Sequence, residues 1–443
     1  MARVLVFATT TGYQTRAFGE AADRLGVTLV FATDRCHVID DPWQDGAVPI
    51  RFYDEEASVA ALIASAADRA IDGLVVVGDR PAVIAARTAQ ALGIPWHSPD
   101  AAAIATNKLL LRARLRDAGL PVPPFRRFSL SHQPSAIGDQ PLPPSFPCVV
   151  KPIALSGSRG VMRANDPHEL ATAVDRLRAL MQSSEVRAER NDAHDTALIE
   201  EFVPGREYAI EGLIDDGVLH ILAIFDKPDP LDGPFFEETI YVTPSRASAD
   251  QQRAITETVA RAAAAIGLRH GPIHAECRVN AHGVFVLEIA PRPIGGLCAR
   301  ALTFAPIDNQ SSIINHQSSI PFEELLLRHA LGDDPARYRR AADAAGVMMI
   351  PIPRRGIYRG VDGVDAARGV PNIVDVRITA KPDQLLVPLP EGASYLGFIF
   401  SRGARPADAE RALRDAHARL SFHVAPEFPV LANASINYNH EHG

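Results

Sequence analysis

Two glutamates lie in two neighbouring apolar segments whose composition is typical of β-strands. Glu276 lies in residues 273–278 (IHAECR) and Glu288 in residues 286–289 (VLEI). If the two strands are antiparallel neighbours, both carboxylates can converge on one face of a sheet. Mg²⁺ prefers a few carboxylates together with phosphate oxygens and water, so the pair predicts a magnesium site. The alternative is a surface salt bridge, which fits poorly because a carboxylate within Val-Leu-Glu-Ile would be half buried and would need a partner.

An arginine and two glycines follow the second of these segments. Arg292 lies in residues 290–296 (APRPIGG). A guanidinium can clamp a transferring phosphoryl group or a tetrahedral oxyanion. At Gly295 and Gly296 the backbone can come close to a ligand, because glycine has no side chain. We therefore expect Arg292 at the reacting end of a site, with Arg292, Gly295 and Gly296 as candidates to receive a substrate carboxylate.

A lysine and a flexible loop form a second candidate feature. Residues 147–152 (PCVVKP) place Lys151 at a strand end, and residues 156–161 (SGSRGV) follow. Backbone N–H groups and hydroxyls of such a loop can wrap phosphates, while the lysine supplies a positive charge. The P-loop pattern is missing, and a Ser/Gly loop taken alone is more often only a loop.

The third feature is an acidic strand end. Residues 199–208 (IEEFVPGREY) turn at Pro204 and Gly205. An unpaired backbone N–H and C=O at a strand end can hydrogen-bond an adenine edge, and a carboxylate one turn later can hold ribose hydroxyls. Without the neighbouring motifs, a solvated acidic hairpin is the preferred interpretation.

The segment between these strands carries the candidates for substrate recognition. It includes residues 225–228 (FDKP) and 235–239 (FFEET). Glu237 or Glu238 could receive an α-ammonium group, and an exposed acidic loop is an equally good interpretation. Cys298 could be considered as a nucleophile, but no histidine lies near it in the sequence, so a packing thiol is the better hypothesis.

The elements that must position these residues begin with alternating strands and helices. Strands are expected at 4–8, 28–32 and 73–77, and helices at 14–25, 57–70 and 82–92. This alternation predicts a small parallel α/β domain that ends near Pro95. Residues 9–12 (TTTG) could receive a phosphate, but they do not match GxGxxG, which argues against a dinucleotide-binding dehydrogenase.

After this domain the pattern changes. Residues 100–119 predict two short helices, and the Pro- and Ser-rich residues 121–147 predict a linker or an exposed loop. A strand-rich α+β unit follows. Its expected strands are 148–151, 197–203, 207–214, 218–225, 273–279 and 284–289, and its expected helices are 168–181 and 250–266. A third region has expected strands at 347–352, 374–378, 385–387 and 397–400 and a helix at 407–420.

Composition limits the function classes. The formal net charge of −8 argues against a broad nucleic-acid or anionic-membrane surface. No apolar stretch is long enough to cross a bilayer, and the apolar start is too short for a signal peptide, so we expect a cytoplasmic protein. The four cysteines have no CxxC pairing and are interpreted as buried reduced thiols. His440 and His442 are interpreted as part of a frayed tail rather than a metal site.

The sequence resembles the carboxylate–amine ligase branch of the ATP-grasp superfamily and is similar to bacterial L-amino acid ligases. The resemblance lies in the ordered series of motifs from residues 107–108 (NK) to Gly296. The resemblance implies an α/β plus α+β architecture. It consists of an N-terminal parallel α/β domain (1–97), an ATP-grasp domain (98–335) and a smaller C-terminal α+β domain (336–443). It also implies ATP and Mg²⁺, with Mn²⁺ as a substitute, small-molecule carboxylate and amine partners, and a homodimer.

The same resemblance implies a role for each motif. The ATP phosphates would be contacted by Lys108 and Lys151 and covered by a glycine-rich lid comprising Ser156, Gly157, Ser158 and Gly160. The nucleoside would be held by Glu200 at the adenine amino group, by the backbone of Glu201 and Val203 at the base edge, and by Glu207 at the ribose. Mg²⁺ would be bound by Glu276 and Glu288, and the reacting phosphoryl and acyl groups by Arg292.

One position departs from the pattern of many ATP-grasp enzymes, which have a metal-binding asparagine two residues after the second glutamate. Here that residue is Ala290.

The expected reaction is activation of a carboxylate as an acyl phosphate, followed by attack of an amine. The alternatives are a biotin-carboxylase-like or purine-pathway ATP-grasp activity, and a non-catalytic nucleotide sensor. The pairing of Glu276 and Glu288 with Arg292 speaks against the sensor, because binding alone does not need a reacting-end cluster.

Overall fold

The structure is a computed structural model that describes residues 1–8, 12–34, 47–131, 145–307 and 319–427. The predictions made for residues 9–11, Cys36, His440 and His442 therefore lie outside the described residues. Among the helices that are described, none has the length and apolar character required to span a membrane.

The N-terminal part is a parallel sheet with the strand order β3-β2-β1-β4, which confirms the predicted α/β unit. The strands β1 and β4 are almost entirely buried, as expected for parallel strands covered by helices. The second helix was predicted at 57–70, but it begins earlier because Asp54 caps it by accepting the N–H of Ala57. The elements are β1 (Arg3–Ala8), α1 (Gly12–Leu25), β2 (Thr28–Thr33), β3 (Ala47–Pro49), α2 (Glu55–Ala66), β4 (Gly73–Val77) and α3 (Ala82–Leu92).

Two short helices and a small antiparallel sheet follow. The sheet has the order β5-β8-β6-β7. The strand β5 corrects the prediction of a linker or loop at 121–147, because Phe128 packs into the core and the strand pairs along its whole length with β8. The elements are α4 (Pro99–Ala105), α5 (Lys108–Asp117), β5 (Phe125–Ser129), β6 (Cys148–Pro152), β7 (Met162–Ala164), α6 (Pro167–Met181), α7 (Ser184–Arg187) and β8 (Thr196–Glu201).

The largest unit is an eight-stranded sheet with the order β13-β12-β9-β10-β11-β17-β21-β19. Its strands are β9 (Arg206–Asp215), β10 (Val218–Asp226), β11 (Ile240–Thr243), β12 (Gly271–Asn280), β13 (Gly283–Ala290), β17 (Ala344–Ile350), β19 (Ile373–Ile378) and β21 (Gly397–Gly403). Two three-stranded sheets accompany it, one of β14 (Thr303–Pro306), β15 (Ile320–Pro321) and β16 (Tyr338–Arg340), the other of β18 (Gly356–Asp362), β20 (Leu385–Leu386) and β22 (Ser421–Ala425). The helices of this part are α8 (Ala249–Ile266), α9 (Phe322–Ala330), α10 (Val364–Arg368) and α11 (Pro406–His417).

This sheet crosses the boundary predicted between the second and third domains. The strands β17, β19 and β21 come from the region after residue 335 and pair into the same sheet as β9 to β13. The pairing of β11 with β17 joins the two regions. The boundary at 335/336 therefore stays a prediction about sequence units and does not coincide with a break in the hydrogen-bonded sheet.

Candidate active site

A cavity of about 1520 Å³ lies where the N-terminal unit, the small antiparallel sheet and the eight-stranded sheet meet. Its lining includes residues from all three parts. Of the residues predicted for the site, the following line it: Lys108, Lys151, Ser156, Gly157, Ser158, Glu200, Glu201, Val203, Glu207, Glu238, Glu276, Glu288, Arg292, Gly295 and Gly296. Tertiary folding thus brings together motifs that lie almost 190 residues apart in the chain.

The predicted magnesium ligands face each other across two neighbouring strands. In β12, Ala275 and Cys277 pack against the core on the side of α8. Because strand residues alternate between faces, Glu276 between them points to the opposite face, into the cavity. Glu276 pairs directly with Glu288 of β13 in the antiparallel register. A bulge at Leu287 of β13 follows this pair and shifts the register of β13 against β12.

Glu276 also belongs to a cluster of three carboxylates around one ammonium. The Nζ of Lys227 lies 2.8 Å from Glu207 Oε1, 2.5 Å from Glu238 Oε1 and 2.8 Å from Glu276 Oε1. Burial opposes the charge of Lys227, but the three carboxylates hold its pKa well above the usual value. Burial and the neighbouring Glu276 raise the pKa of Glu238 to about 7. The cluster is therefore a site built to accept a cation.

A buried histidine supports the same carboxylate from the other side. His274 Nδ1 is hydrogen-bonded to Glu211, which is fully buried, and His274 Nε2 lies 3.4 Å from Glu276 Oε1. Burial opposes protonation of His274, but Glu211 raises its pKa to about 10. The second oxygen of Glu211 accepts the N–H of Ile294 at 3.0 Å. Glu211 thus fixes both the imidazolium and the loop that carries Arg292.

The two lysines predicted to contact phosphates both line the cavity. Lys108 Nζ donates to the carbonyl of Leu155 at 2.6 Å and lies 3.7 Å from Glu288 Oε2. Lys151 Nζ lies 2.6 Å from Glu200 Oε1. Burial lowers the pKa of Lys151 in spite of the neighbouring Glu200. Both ammonium groups thus meet carboxylates at the edge of a space large enough for a triphosphate.

Glu200 is more constrained than its predicted contact with adenine suggests. Its side chain is 2% exposed and forms a two-point ion pair with Arg112, with distances of 2.7 and 3.1 Å. Burial opposes ionisation, but Arg112 and Lys151 lower the pKa of Glu200 to about 2. In this arrangement Glu200 holds Lys151, and an adenine contact of the carboxylate would have to be shared with both cations.

The backbone at the end of β8 is partly occupied. The N–H of Glu201 donates to the carbonyl of Pro124 at 3.0 Å, and the carbonyl of Val203 accepts from Arg278 at 2.8 Å. One of the two lone pairs of the Val203 carbonyl is thus engaged, and a base contact of Val203 stays a prediction. Glu207 accepts from Arg278 Nε at 2.8 Å as well as from Lys227. A ribose contact of Glu207 stays a prediction.

Arg292 forms a two-point ion pair with the N-terminal unit. Its Nε and one terminal nitrogen lie 2.7 and 3.0 Å from the two carboxylate oxygens of Asp79, just after β4. Burial opposes ionisation of Asp79, but Arg292 lowers its pKa. The remaining terminal nitrogen donates to the carbonyl of Pro293, and Glu288 Oε1 lies 3.7 Å from the guanidinium. Asp79 thus fixes the orientation of the guanidinium, and one of its nitrogens also approaches Glu288.

Two predicted residues do not reach the lining of the cavity. The N–H of Gly160 donates to the carbonyl of Pro390 at 2.7 Å, and a Cβ on Gly160 would press on Leu177. The carboxyl of Glu237 accepts from the backbone of Ile352. Gly160 therefore packs the lid against its neighbours instead of facing a ligand, and of the two candidate acidic residues only Glu238 faces the cavity.

Three family models match consecutive parts of the chain. An ATP-grasp N-terminal domain matches residues 19–96, an ATP-grasp domain matches residues 144–301, and an L-amino acid ligase C-terminal domain matches residues 348–425. The order is the order predicted from the motifs. The chain belongs to the ATP-grasp superfamily.

Solved structures of ATP-grasp enzymes resemble this chain over almost its whole length. An L-amino acid ligase from Bacillus licheniformis has a TM-score of 0.78 and 26% identity, with 96% of this chain and 99% of that chain covered. A phosphoribosylglycinamide synthetase from Anaerococcus prevotii has a TM-score of 0.62 and 15% identity, with 96% and 100% covered. The second likeness shows the shared fold alone.

Among curated proteins, dapdiamide A synthase from Enterobacter agglomerans is 26% identical over 47% of this chain and 47% of its own length. Alanine–anticapsin ligase from Bacillus amyloliquefaciens is 24% identical over 54% of this chain and 52% of its own length. The alignments thus span about half the length of these relatives. These relatives confirm the predicted similarity of this chain to amino acid ligases.

The site and its surroundings contain titratable residues to which the sequence motifs gave no role. They are Asp79, Arg112, Glu211, Lys227, Tyr241, His274 and Arg278. For three of them the sequence contains a feature that could have identified them. His274 and Arg278 are two residues from Glu276 on either side, so strand alternation places them on its face. Asp79 follows the end of a parallel strand, where ligands of open α/β sheets commonly bind.

The carboxylates present fit a magnesium ion. Glu276 and Glu288 are partners in the strand register, both reach the cavity, and the two lysines lie where triphosphate oxygens would have to bind. Oxygen ligands from two carboxylates plus phosphates suit Mg²⁺. Bound there, the ion would neutralise charge on the phosphates. Ala290 provides no ligand at the position of the usual asparagine.

Proposed function

We propose that this protein is an ATP-dependent ligase that joins the carboxylate of an L-amino acid to the amine of a second amino acid. One observation carries the proposal: Glu276 and Glu288 face each other beside Arg292, in the same cavity as Lys108 and Lys151. A binding module has no need for a cation clamp at the reacting end. The similarity to an L-amino acid ligase over 96% of the chain supports the substrate class.

The proposed reaction has two steps. A carboxylate oxygen of the first substrate attacks the γ-phosphorus of ATP, the bond to the β–γ bridging oxygen breaks, and ADP leaves. The neutral amine of the second substrate then attacks the acyl carbon, phosphate leaves, and the amine proton passes to solvent. Lys151 and Lys108 position the phosphates, and Arg292 stabilises the oxyanion. Catalysis is then mainly positioning and charge neutralisation.

The carboxylate cluster supports recognition of an α-ammonium group. Glu238 lines the cavity and already accepts a hydrogen bond from the internal ammonium of Lys227. An ammonium group of a substrate at the open edge of this cluster would meet the same negative charge. Glu238 is therefore the proposed ammonium contact, with Arg292, Gly295 and Gly296 on the side of the substrate carboxylate.

The test is a screen of all pairs of the standard L-amino acids with Mg-ATP, in which released phosphate, the nucleotide product and the product mass are measured. We expect ADP and phosphate in equal amounts and a dipeptide of matching mass. The Glu288→Gln variant is the negative control. Formation of AMP and pyrophosphate would contradict the mechanism. Stimulation by bicarbonate or another carboxylate, with no dipeptide, would reject the substrate class and leave the ATP-grasp assignment intact.

We also propose that the chain has three domains and forms a homodimer. The proposed domains are residues 1–97, 98–335 and 336–443. The three matched segments fall within these domains, one in each. Limited proteolysis tests the boundaries, and light scattering of the purified chain tests the dimer. Resistance to cleavage around residues 97 and 335, or a monomer mass, would reject the respective part.

A further inference from the structure

A second group of potential metal ligands lies outside the cavity. Asp215 ends β9, His270 precedes β12, and His329 lies in α9. Each offers one ligand atom, and the three atoms lie within 4.8 Å of one another. None of the three residues lines the active-site cavity. Asp215 and His270 are four residues beyond the paired Glu211 and His274, which corresponds to about 13 Å along the strands.

Two of the three separations between the donor atoms are close to those around a single ion. His270 Nδ1 lies 3.3 Å from Asp215 Oδ1, and His329 Nε2 lies 3.6 Å from the same oxygen. Two ligands at about 2.0–2.2 Å from a tetrahedral zinc ion are separated by roughly 3.3–3.5 Å. The two imidazole rings are stacked, with centroids 4.4 Å apart and an interplanar angle of 18°. Each ring has one nitrogen within 3.6 Å of the same carboxylate oxygen.

One of the donors is a buried polar atom that forms no hydrogen bond with the described residues. The side chain of His329 is 2% exposed, and its Nε2 has no hydrogen-bond partner among the described residues. A buried polar atom without a hydrogen bond costs free energy, so such an atom indicates that a ligand binds to it. The 40% exposure of the Asp215 side chain leaves an approach from solvent.

The surrounding structure holds the ligands in place. Asp215 directly precedes the tight turn at Asp216 and Gly217, which both have positive φ angles. His97 Nδ1 accepts the N–H groups of Arg269 and His270, at 3.1 and 3.4 Å. These contacts fix the backbone of two ligands before any ion binds, and this kind of support from neighbouring residues is typical of metal sites.

We propose that Asp215, His270 and His329 form a binding site for zinc, separate from the magnesium site. Two imidazole nitrogens and one carboxylate oxygen suit Zn²⁺, whereas Mg²⁺ and Ca²⁺ prefer oxygen ligands alone. The ion connects the end of the β9–β12 pair to α9. The residues Phe322 and Leu325 of α9 pack in one core cluster with Val75 of the N-terminal unit. Zinc at this site therefore stabilises the contact between the N-terminal unit and the large sheet.

The experiment uses the untagged full-length chain, stripped of metal with a chelator, in excess Mg²⁺ so that the active-site carboxylates are occupied. Zn²⁺ is titrated against a chromophoric chelator, and Co²⁺ is used as a spectroscopic probe of tetrahedral nitrogen and oxygen coordination. We expect one equivalent of Zn²⁺ per chain. The variants His270→Gln, His329→Gln and Asp215→Ala should each weaken binding by roughly 100-fold or more, since even loss of a supporting residue costs 10–100-fold.

Four controls separate this site from other ligands. Asp216→Asn changes a neighbouring carboxylate with 94% exposure, and His282→Gln changes an exposed histidine. The double variant His440→Gln/His442→Gln removes the histidines of the tail. All three should bind Zn²⁺ as the wild type does. The double variant Glu276→Gln/Glu288→Gln should also keep Zn²⁺, although we expect it to lose turnover.

The fold of each variant is checked without metal, and its melting temperature should match that of the metal-free wild type. If His329→Gln does not fold, His270→Gln and Asp215→Ala carry the test, because their side chains are partly exposed. Zn²⁺ should raise the melting temperature of the wild type and of the four control variants, but not that of the three ligand variants. Lack of stoichiometric binding by the wild type, unchanged binding in the ligand variants, or loss of binding in Glu276→Gln/Glu288→Gln would overturn the proposal.

Discussion

At the scale of single residues, the cavity is characterised by charges that balance one another in close pairs and clusters. Glu200 meets Arg112 and Lys151, Asp79 meets Arg292, and Lys227 meets three carboxylates. Burial of an ion is costly unless it is paired. These pairs therefore keep a set of charged groups in a largely buried site.

The carboxylate opposite Glu276 gives the first prediction. Glu288→Gln keeps the shape of the side chain and removes a negative charge from the proposed magnesium site. We expect turnover to fall by at least 10³-fold, because the phosphates lose a metal clamp worth several kcal/mol. The melting temperature should stay close to that of the wild type. Glu257→Gln, at an exposed position of α8, is the matched control, and near-normal turnover of Glu288→Gln with Mg²⁺ would reject the metal assignment.

Arg292 gives the second prediction. Arg292→Ala should lose roughly 10²–10³ in turnover, the scale of one lost oxyanion donor. The KM for ATP should change much less, because the proposed nucleoside contacts lie around Glu200 to Glu207. A large rise in the KM for ATP with unchanged turnover would place Arg292 in nucleotide binding instead.

Asp79 gives the third prediction, as a positioning residue that acts through Arg292. Asp79→Ala should lower kcat with little effect on the KM for ATP, since the guanidinium loses both oxygens that aim it. Asp79→Asn retains one acceptor oxygen and should recover part of the loss. Because both side chains are largely buried, the melting temperatures are measured in parallel. Equal kcat in the wild type and both variants would show that the ion pair is only structural.

At the scale of elements, the turn between β8 and β9 connects the proposed adenine-binding strand end to the sheet of the metal site. Gly205 has a φ angle of +118°, and a Cβ on it would collide with the carbonyl of Val279. The turn can therefore pass β12 closely only because residue 205 is glycine. Asn280 Nδ2 also donates to the carbonyl of Pro204 at 2.8 Å. The proposed nucleoside and metal sites are thus joined by one packed turn.

Gly205→Ala should consequently disturb both stability and nucleotide binding. We expect a loss of about 1–3 kcal/mol in the free energy of unfolding and a several-fold higher KM for ATP. Gly119→Ala is the control, since Gly119 also has a positive φ of +68° but has open space around it. Urea unfolding and ATP titration provide the measurements. A KM that rises equally in both variants would refute the proposed link between the turn and the nucleotide.

At the scale of the whole molecule, the N-terminal unit is fixed to the large sheet through buried groups. His97 is 2% exposed, and burial lowers its pKa to about 3. Its Nδ1 accepts two backbone N–H groups just before β12. The junction therefore contains a neutral imidazole that becomes unfavourable once it is protonated.

This junction predicts a pH dependence of stability. The pKa of His97 is lower in the folded state than in the unfolded state, so between about pH 6.5 and 3 the unfolded chain binds more protons at this residue. Stability should thus fall as the pH decreases through this window, with a contribution of up to about 1.4 kcal/mol per pH unit. His97→Asn keeps an acceptor oxygen and removes the titration. A flatter profile of unfolding free energy between pH 6 and 4 is expected, and an unchanged slope would contradict it.

The local sequence was sufficient to predict most of the elements and the opposed glutamates. Strand composition located β12 and β13, and alternation placed Glu276 and Glu288 where the register confirms them. These features depend on neighbours within a few residues, because a strand alternates its faces regardless of what packs on it. The order of the motifs along the chain was sufficient to identify the superfamily. The strand β5 was missed, because its pairing with β8 outweighs the Pro-rich composition around it.

The partners of the charged residues were decided by the tertiary structure alone. Asp79 and Arg292 are 213 residues apart, and Glu200 and Arg112 are 88 apart. Asp215, His270 and His329 come from two strand ends and a helix. No local pattern encodes such pairs, since which ends of which elements meet depends on the strand order and on how the units pack. The sequence determined which chemical groups are present and which faces carry them, and only the assembled fold decided which of them share a buried space, where low polarity makes each charge depend on its partner.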